Sequence, residues 1–401
     1  MGTNRQQIRV LMFCSYFPPK YSGAAKQALN LAKQLRGHGV HVEFATIRDS
    51  QLPSFEIYDT FPVHRLEGGP QKHFLLWANL LRFAWKNRRR FDILHCHGIN
   101  EISNIIGPIA KLVGWRSLIK ASMSNELSFL RRLPFGLLHR VLIQTVTAYI
   151  AISTDLMEEF QENGLSAKKI LYIPNGVDAS RFHPADIPER HALRDKFHLP
   201  KDRLIFLSVG VFDHRKNIGW LIKEWAKTNG FDTGAFLLTI GPQSIYDPDG
   251  RFFNELREIA AADRNNMGLI NYVDNVEEYF RMADIFVLCS TNEGLPNVLL
   301  EATASGLPCL ATRSKGTTDV IVEGETGYLF NLNDSEDFRE KVSFFSRPRI
   351  DEMRQKARLV ALERFDLDRV SERYHRLYED LLKGGRLKPQ SSGVVPRLKK
   401  V

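Results

Sequence analysis

The stretch IRVLMFCSY at residues 8–16, continued by FPPKYSG (17–23), AAKQALNLAKQLRGHG (24–39) and VHVEFAT (40–46), decides the fold. Its first run is almost wholly apolar, as a strand buried on both faces must be. A Pro/Gly loop follows. Ala28, Leu31, Ala32 and Leu35 then recur at helical spacing. Gly37 and Gly39 stop that helix, and a second strand begins. Strand, loop, helix and strand make one unit of a parallel, doubly wound sheet.

The same opening recurs further on. LIFLSV (204–209) is a strand, GVFDHRKN (210–217) a polar loop, and residues 218–228 a helix. Short apolar runs at 91–96, 117–120, 148–152 and 170–173 extend the first half as strands. Runs at 236–240, 268–270, 285–288 and 309–312 extend the second. The predicted fold class is therefore α/β, with two tandem Rossmann-like domains facing a cleft. A length of 401 residues agrees with two domains. They are expected at 1–183 and 184–365, joined across the Pro- and charge-rich stretch 183–203. Residues 360–382 read as a final amphipathic helical region, and 383–401 as a basic, disordered tail. Ligands of open α/β sheets bind at the carboxyl ends of the strands. That places the Gly23 loop and the turn at Glu293 on opposite lips of the cleft.

Composition sets the class. With 43% hydrophobic and 25% charged residues, the chain can build cores in both halves. Cys14, Cys96, Cys289 and Cys309 are widely spaced, with no CxxC pair, which favours a reducing compartment. The polar start at residues 1–9 is unlike a signal peptide. Arg82, and Arg140 with Gln144, break the two longest apolar stretches, so no transmembrane span is expected. Localisation is expected to be cytoplasmic, with peripheral contact at a membrane face. Residues 1–183 carry 23 Lys and Arg against 13 Asp and Glu, whereas 184–365 carry 23 against 28. A basic half beside an acidic half suggests different partners for each.

The chemistry concentrates in STNEGLPNVLLEA (290–302). A strand runs into a turn at Gly294 and a helix that is expected to have Pro296 at its first position. The N–H groups of such a helix start favour an anion. Two carboxylates, Glu293 and Glu301, bracket it, and carboxylates accept hydrogen bonds from sugar hydroxyls. Phosphate and sugar in one pocket suggest a sugar nucleotide. The bland alternative makes Glu293 a solvated loop residue and Glu301 a surface charge. Glu301 sits inside the apolar LLEATASGLP (299–308), which favours function. Asn297 lies four residues before it, on the same helix face.

These residues resemble the Glu–seven–Glu motif of glycosyltransferase family four, whose members have the GT-B fold and retain anomeric configuration. The likeness continues through AISTDLMEEFQENGLSAKKILYIPNGVDASRFHP (151–184), residues 284–310, Gly316 and GETGYLF (324–330). The N-terminal FPP with its Gly23 loop and DILHCHG (92–98) also match. In all, it spans residue 8 to about residue 382, and the motifs are specific as a set. The resemblance implies that Glu301 holds the donor ribose and Glu293 contacts the transferred sugar. It implies that backbone N–H groups of Gly294, Leu295 and Asn297 hold sugar or phosphate oxygens. Gly23 would admit the diphosphate from the first domain. His97 would lie near the anomeric centre, although His95 shares its face of the strand and a packed role suits either. Arg215 and Lys216 would face the leaving diphosphate. Residues 366–382 would cross back onto the first domain.

Three positions depart from the family pattern. Val211 stands where an Arg is common, so either Arg215 substitutes or one diphosphate contact is missing. Ser22–Gly23 replaces Gly-Gly. ASMS (121–124) stands where a His-Gly is common, which points to a different acceptor side. Asp247–Pro248–Asp249 has the look of a metal-binding Asp-x-Asp, but turn residues of this kind are ordinary after a Rossmann strand. No metal and no cofactor is expected, with cations and helix termini taking the neutralising role. The basic half interleaves Arg82, Lys86, Arg88, Arg89 and Arg90 with apolar residues, as does FLRRLPFGLLHR (129–140). Such stretches suit an anionic membrane surface or a packed helix with a solvated side. No motif for nucleic acid accompanies them. The expected partners are a nucleotide-sugar donor and a saccharide or lipid-linked saccharide acceptor. A GT-B sugar-nucleotide epimerase or a non-catalytic scaffold of the same fold are the alternatives.

Overall fold

A computed structural model describes residues 7–20, 22–69, 71–99, 102–123, 141–227 and 234–384. The expected disordered tail lies outside the described residues beyond Gly384, and so does FLRRLPFGLLHR (129–140). The chain divides into two compact units. One runs through Gly176 and resumes at Leu367; the other spans Val177–Asp366.

The first unit holds an eight-stranded sheet in the order β3-β4-β2-β1-β5-β6-β7-β8. Its strands are β1 (Arg9–Cys14), β2 (His41–Ile47), β3 (Phe55–Tyr58), β4 (Phe61–Leu66), β5 (Ile93–His97), β6 (Arg116–Lys120), β7 (Ala148–Ala151) and β8 (Ile170–Tyr172). All pair in parallel except β3, which closes one edge antiparallel to β4. The described helices of this unit are α1 (Gly23–Gly37), α2 (His73–Lys86), α3 (Ser103–Val113) and α4 (Thr154–Glu162). Ser22 caps α1, its hydroxyl accepting from the Ala25 N–H at 3.3 Å. The apolar stripe Ala28, Leu31, Ala32 and Leu35 packs onto the sheet as its spacing predicts.

The second unit holds six parallel strands in the order β11-β10-β9-β12-β13-β14. They are β9 (Ile205–Val209), β10 (Phe236–Ile240), β11 (Met267–Ile270), β12 (Ile285–Leu288), β13 (Cys309–Thr312) and β14 (Gly327–Phe330). Around them lie α5 (Ile187–Lys196), α6 (Ile218–Ala226), α7 (Arg251–Ala262), α8 (Val276–Met282), α9 (Asn297–Ala304), α10 (Ser335–Ser343) and α11 (Arg347–Val360). In each sheet the chain reverses direction once. The switch lies between β1 and β5 in the first unit and between β9 and β12 in the second. Ligand sites are expected outside the carboxyl ends of those strands.

The first expected boundary moves from 183/184 to Gly176/Val177, while the second, expected at 365/366, falls at Asp366/Leu367. Residues 183–203 are no linker, because they contain α5, which is part of the second unit. The reason is a buried ion cluster. Arg194 donates to Asp284 at 2.6 Å, Arg190 and Arg354 approach the same carboxylate at 3.3 Å, and the Ile205 N–H donates to it at 2.8 Å. At the other end the helical region is not continuous. A π-turn at Ala361–Phe365 separates α11 from α12 (Leu367–Leu382). Helix α12 belongs to the first unit, as expected. Val370, Tyr374, Leu377, Tyr378 and Leu381 enter the same core as α1. Among the described residues no helix is long and apolar enough to cross a membrane. Cys14, Cys96, Cys289 and Cys309 are buried free thiols.

Candidate donor site

In the second unit, β12 ends at Leu288 and the turn carrying Glu293 leads to α9. Pro296 is the N-cap rather than the first helical residue. Its ring fixes φ at −71°, but ψ is 119°, which is extended. Its carbonyl accepts the Leu299 and Leu300 N–H groups at 3.1 and 3.3 Å, so the helix starts one residue later than expected. Glu301 is buried among Leu299, Leu300, Ala302, Thr303 and Ala304, which excludes the surface-charge reading. Glu293 is buried too, which excludes the solvated-loop reading.

The loop after β9 meets this turn across the switch point. The Thr291 N–H donates to the Arg215 carbonyl at 2.8 Å, and the Thr291 hydroxyl to the same oxygen at 3.2 Å. Asp213 accepts the Lys216 N–H at 2.7 Å and fixes the loop's bend. With the two backbones tied, Lys216 Nζ reaches Glu293 Oε1 at 2.6 Å, and Arg215 Nη1 reaches the same oxygen at 3.3 Å. Arg215, Lys216 and Glu293 are therefore one ion cluster. Two cations share one buried carboxylate beside the N-terminus of α9, so the cluster keeps one positive charge in excess. The excess is half-exposed, since Arg215 is 37% accessible.

Two glycines let neighbouring loops pack closely against these two. A Cβ on Gly241 would stand 1.7 Å from the Gly210 carbonyl oxygen, and one on Gly316 would stand 2.1 Å from that of Gly294. Gly316 also has φ at +81°, a conformation side chains resist. Gly294, Leu295 and Asn297 thus lie in a turn braced from behind by the Gly316 loop. Asp247 accepts the Phe252 and Phe253 N–H groups at 3.3 and 3.0 Å, so it caps the start of α7. No three His, Cys, Asp or Glu side chains gather as a metal site among the described residues.

Gly23 and His97 belong to the first unit and flank its own switch point. Gly23 is the first residue of α1, directly after β1's loop, and His97 ends β5. His95 and His97 lie on one face with ring centroids 4.2 Å apart. Their environments separate them. His95 Nδ1 bonds the Tyr378 hydroxyl at 2.8 Å, under α12. Among the described residues neither buried ring nitrogen of His97 has a hydrogen-bond partner, whereas His95 lacks one only at Nε2. Buried polar groups without a partner are uncommon, which marks this strand end as a candidate site. Burial, then His95 and Lys120, holds the His97 pKa well below the ordinary range. Lys120 itself is a residue the sequence reading passed over. It ends β6 beside His97, buried, and burial pushes its pKa down to about 7.

Two family models match the chain. "Glycosyltransferase Family 4" covers residues 21–181, and "Glycosyl transferases group 1" covers 189–360. The chain is 25% identical to N-acetyl-alpha-D-glucosaminyl L-malate synthase of Bacillus anthracis, over 91% of this chain and 96% of that protein. It is also 25% identical to phosphatidyl-myo-inositol mannosyltransferase of Mycolicibacterium smegmatis, over 97% and 98% of the respective lengths. Among solved structures, Anabaena HepE in complex with UDP superposes with a TM-score of 0.76 at 16% identity. That superposition covers 94% of this chain and all of the other, a likeness of fold.

Proposed function

We propose that the chain, a glycosyltransferase by the family models it matches and GT-B in fold, transfers a sugar from a nucleoside diphosphate to an acceptor hydroxyl with retention of configuration. The observation that carries this reading is the Lys216–Arg215–Glu293 cluster beside the N-terminus of α9. Its excess positive charge suits a departing diphosphate. Without a donor, Glu293 keeps both cations in place. With a donor, phosphate oxygens compete for them and free the carboxylate to accept sugar hydroxyls. Glu301 takes the ribose, and backbone N–H groups of Gly294, Leu295 and Asn297 take sugar or phosphate oxygens. Arg215 stands in for the cation that Val211 does not supply. In the first unit, Gly23 and His97 flank that sheet's own switch point, where a ligand of an open α/β sheet binds. No metal enters this scheme.

In the transfer, the bond from the anomeric carbon to the phosphate oxygen breaks and the bond to the acceptor oxygen forms on the same face. The acceptor proton passes to the leaving phosphate oxygen. Neither glutamate need act as a base. Lys216, Arg215 and the end of α9 stabilise charge where it develops, which is the largest lever such a site has.

The acceptor side is read as a lipid-linked saccharide presented at an anionic membrane. Helix α2 exposes Phe74 (71%) and Trp85 (52%), with Leu75 and Leu81, beside Arg82, Lys86, Arg88, Arg89 and Arg90. Apolar side chains among cations suit the headgroup region of acidic lipids. The two relatives above are named for transfer or synthesis, one of them on a phosphatidyl lipid. Nothing in the site favours the epimerase or the scaffold.

One experiment tests both halves. The full chain is incubated with UDP-, GDP- and ADP-hexoses and vesicles of a bacterial lipid extract rich in anionic phospholipid. Products are weighed by mass spectrometry, the new anomeric proton is read by NMR, and bound protein is measured in the sedimented vesicles. An α-configured product from an α-configured donor, and protein in the pellet that 0.5 M salt releases, are the expected results (salt at about this strength screens surface charge). A β-configured product would overturn retention. No transfer from any donor would overturn the donor reading, and a protein-free pellet would overturn the surface.

A further inference from the structure

The amino ends of four adjacent parallel strands of the first unit, β5-β6-β7-β8, border a cavity of about 720 Å³. It lies at the opposite end of the sheet from the switch point, where ligands of open α/β sheets usually bind. Asp92 stands directly before β5, Arg116 opens β6, Thr147 stands directly before β7 and Lys169 directly before β8. Lys111, in the last turn of α3, also lines it. The volume is that of a small-molecule site, for which about 300–1,000 Å³ is usual. Its wall is polar, since Trp115 and Leu382 are the only large apolar residues in it.

The bonds that hold this frame leave cations and hydroxyls over. Arg9 grips Asp92 through Nη2 at 2.6 Å and Nε at 3.0 Å, so the one carboxylate of the lining is already neutralised. The Ser117 N–H donates to the Thr147 hydroxyl at 3.0 Å, and the Thr147 N–H to the Ser117 hydroxyl at 3.1 Å. Those two hydroxyls lie 3.3 Å apart and need one proton between them, which leaves the other free to donate. Lys169 donates to the Gln144 and Val146 carbonyls and keeps a third N–H. The Gln144 amide donates to the Gly164 carbonyl at 2.7 Å and keeps its oxygen as an acceptor. Lys111 and Arg116 are exposed, and among the described residues neither side chain has an ion pair or hydrogen bond. The partial negative end of α3 accounts for Lys111 alone, because Arg116 and Lys169 lie outside that helix. The sequence continuing from this rim adds no excess of acid. Residues 124–140 hold three Arg and one Glu, and 385–401 hold five Lys and Arg with no Asp or Glu.

We propose that this cavity is a second ligand site of the chain, which takes a soluble phosphate monoester of a sugar or polyol. The phosphate meets Lys111, Arg116 and Lys169, whose N–H groups make charge-assisted hydrogen bonds to its oxygens. The ligand's hydroxyls meet the Gln144 oxygen, which accepts, and the free proton of the Ser117–Thr147 pair, which donates. An apolar ligand would bury little against this wall. The inference does not use the donor site, because every lining residue belongs to the first unit.

The test is calorimetric titration of the full chain with mannose 6-phosphate, mannose and inorganic phosphate. The hexose phosphate should bind at one site per chain. Mannose should give no heat, and inorganic phosphate should bind at least about tenfold more weakly, since it lacks the hydroxyl contacts. The double variant Lys111→Ala, Arg116→Ala should bind the hexose phosphate about 100-fold more weakly, about tenfold for each charge-assisted bond. Lys216→Ala, changed in the second unit, should bind it as the wild type does. Both residues of the double variant are exposed, so its denaturant melt should match that of the wild type. The single variants, each about tenfold weaker, give the same reading if the double variant does not fold. No binding up to about 10 mM, binding that the double variant keeps, or binding that Lys216→Ala loses would each overturn the site. Phosphatidic acid vesicles present the same monoester on a lipid. Their displacement of the bound hexose phosphate would assign the site to a lipid headgroup and overturn the soluble ligand.

Discussion

Lys216→Ala is expected to lower kcat by about 10²–10³-fold, the usual cost of removing one preorganised charge from a developing anion. The effect should fall on kcat more than on KM, because the charge on the leaving group is largest in the transition state. Lys216 is held for this role at both ends. Its N–H is fixed by Asp213, and its ammonium lies 2.6 Å from Glu293. Arg215 sits further off at 3.3 Å and more exposed, so it compensates only in part. Lys216→Arg should recover much of the rate, since a guanidinium also pairs with phosphate. Steady-state kinetics with the cognate donor decide the matter. A kcat within threefold of wild type in Lys216→Ala would remove Lys216 from the leaving-group site.

Gly316→Ala should cost both stability and donor binding. A methyl there would stand 2.1 Å from the Gly294 carbonyl oxygen, far inside any real contact. The backbone must give way, and the φ of +81° adds about 1–2 kcal/mol of its own. A total loss of about 3 kcal/mol is expected, within the range of backbone-incompatible substitutions. The displaced turn carries Glu293 and the start of α9, and a shift of about 1 Å costs such a site up to about a hundredfold. Gly324→Ala is the control. It has φ at +77° but nothing within 4 Å of the added methyl, so it should cost about 1 kcal/mol and leave donor affinity intact. Denaturant melts and donor titrations of both variants separate strain from contact. Equal affinities in the two would show that the Gly316 loop does not brace the turn.

The two sheets were legible because their central strands are uninterrupted apolar runs, each followed by a Gly-bearing loop and a striped helix. The β3–β4 hairpin was not. Its turn, Asp59–Thr60, has φ at 49° and 71°, a backbone that usually announces itself as Asn-Gly or Asp-Gly. Helix α5 was hidden for a different reason. IPERHALRDK reads as a charged linker, and only the fold supplies Asp284 to bury Arg194. In the site, Glu301 announced itself as a charge inside an apolar helix. The bond from Lys216 to Glu293 could not be read, since it depends on two loops 77 residues apart. His95 and His97 were indistinguishable by alternation, and Tyr378, 283 residues from His95, makes the difference. Lys120 was invisible because a lysine at a strand end normally reaches water, and here α12 covers it.

The most direct measurement is calorimetric titration of the wild-type chain and Glu301→Ala with UDP-, GDP- and ADP-sugars. One nucleotide sugar should bind the wild type at one site per chain. Its affinity should fall about 10–100-fold in Glu301→Ala, the loss of hydrogen bonds to a charged acceptor. Equal affinities for the two proteins would contradict the placement of the donor ribose on Glu301 and, with it, the donor site at the start of α9.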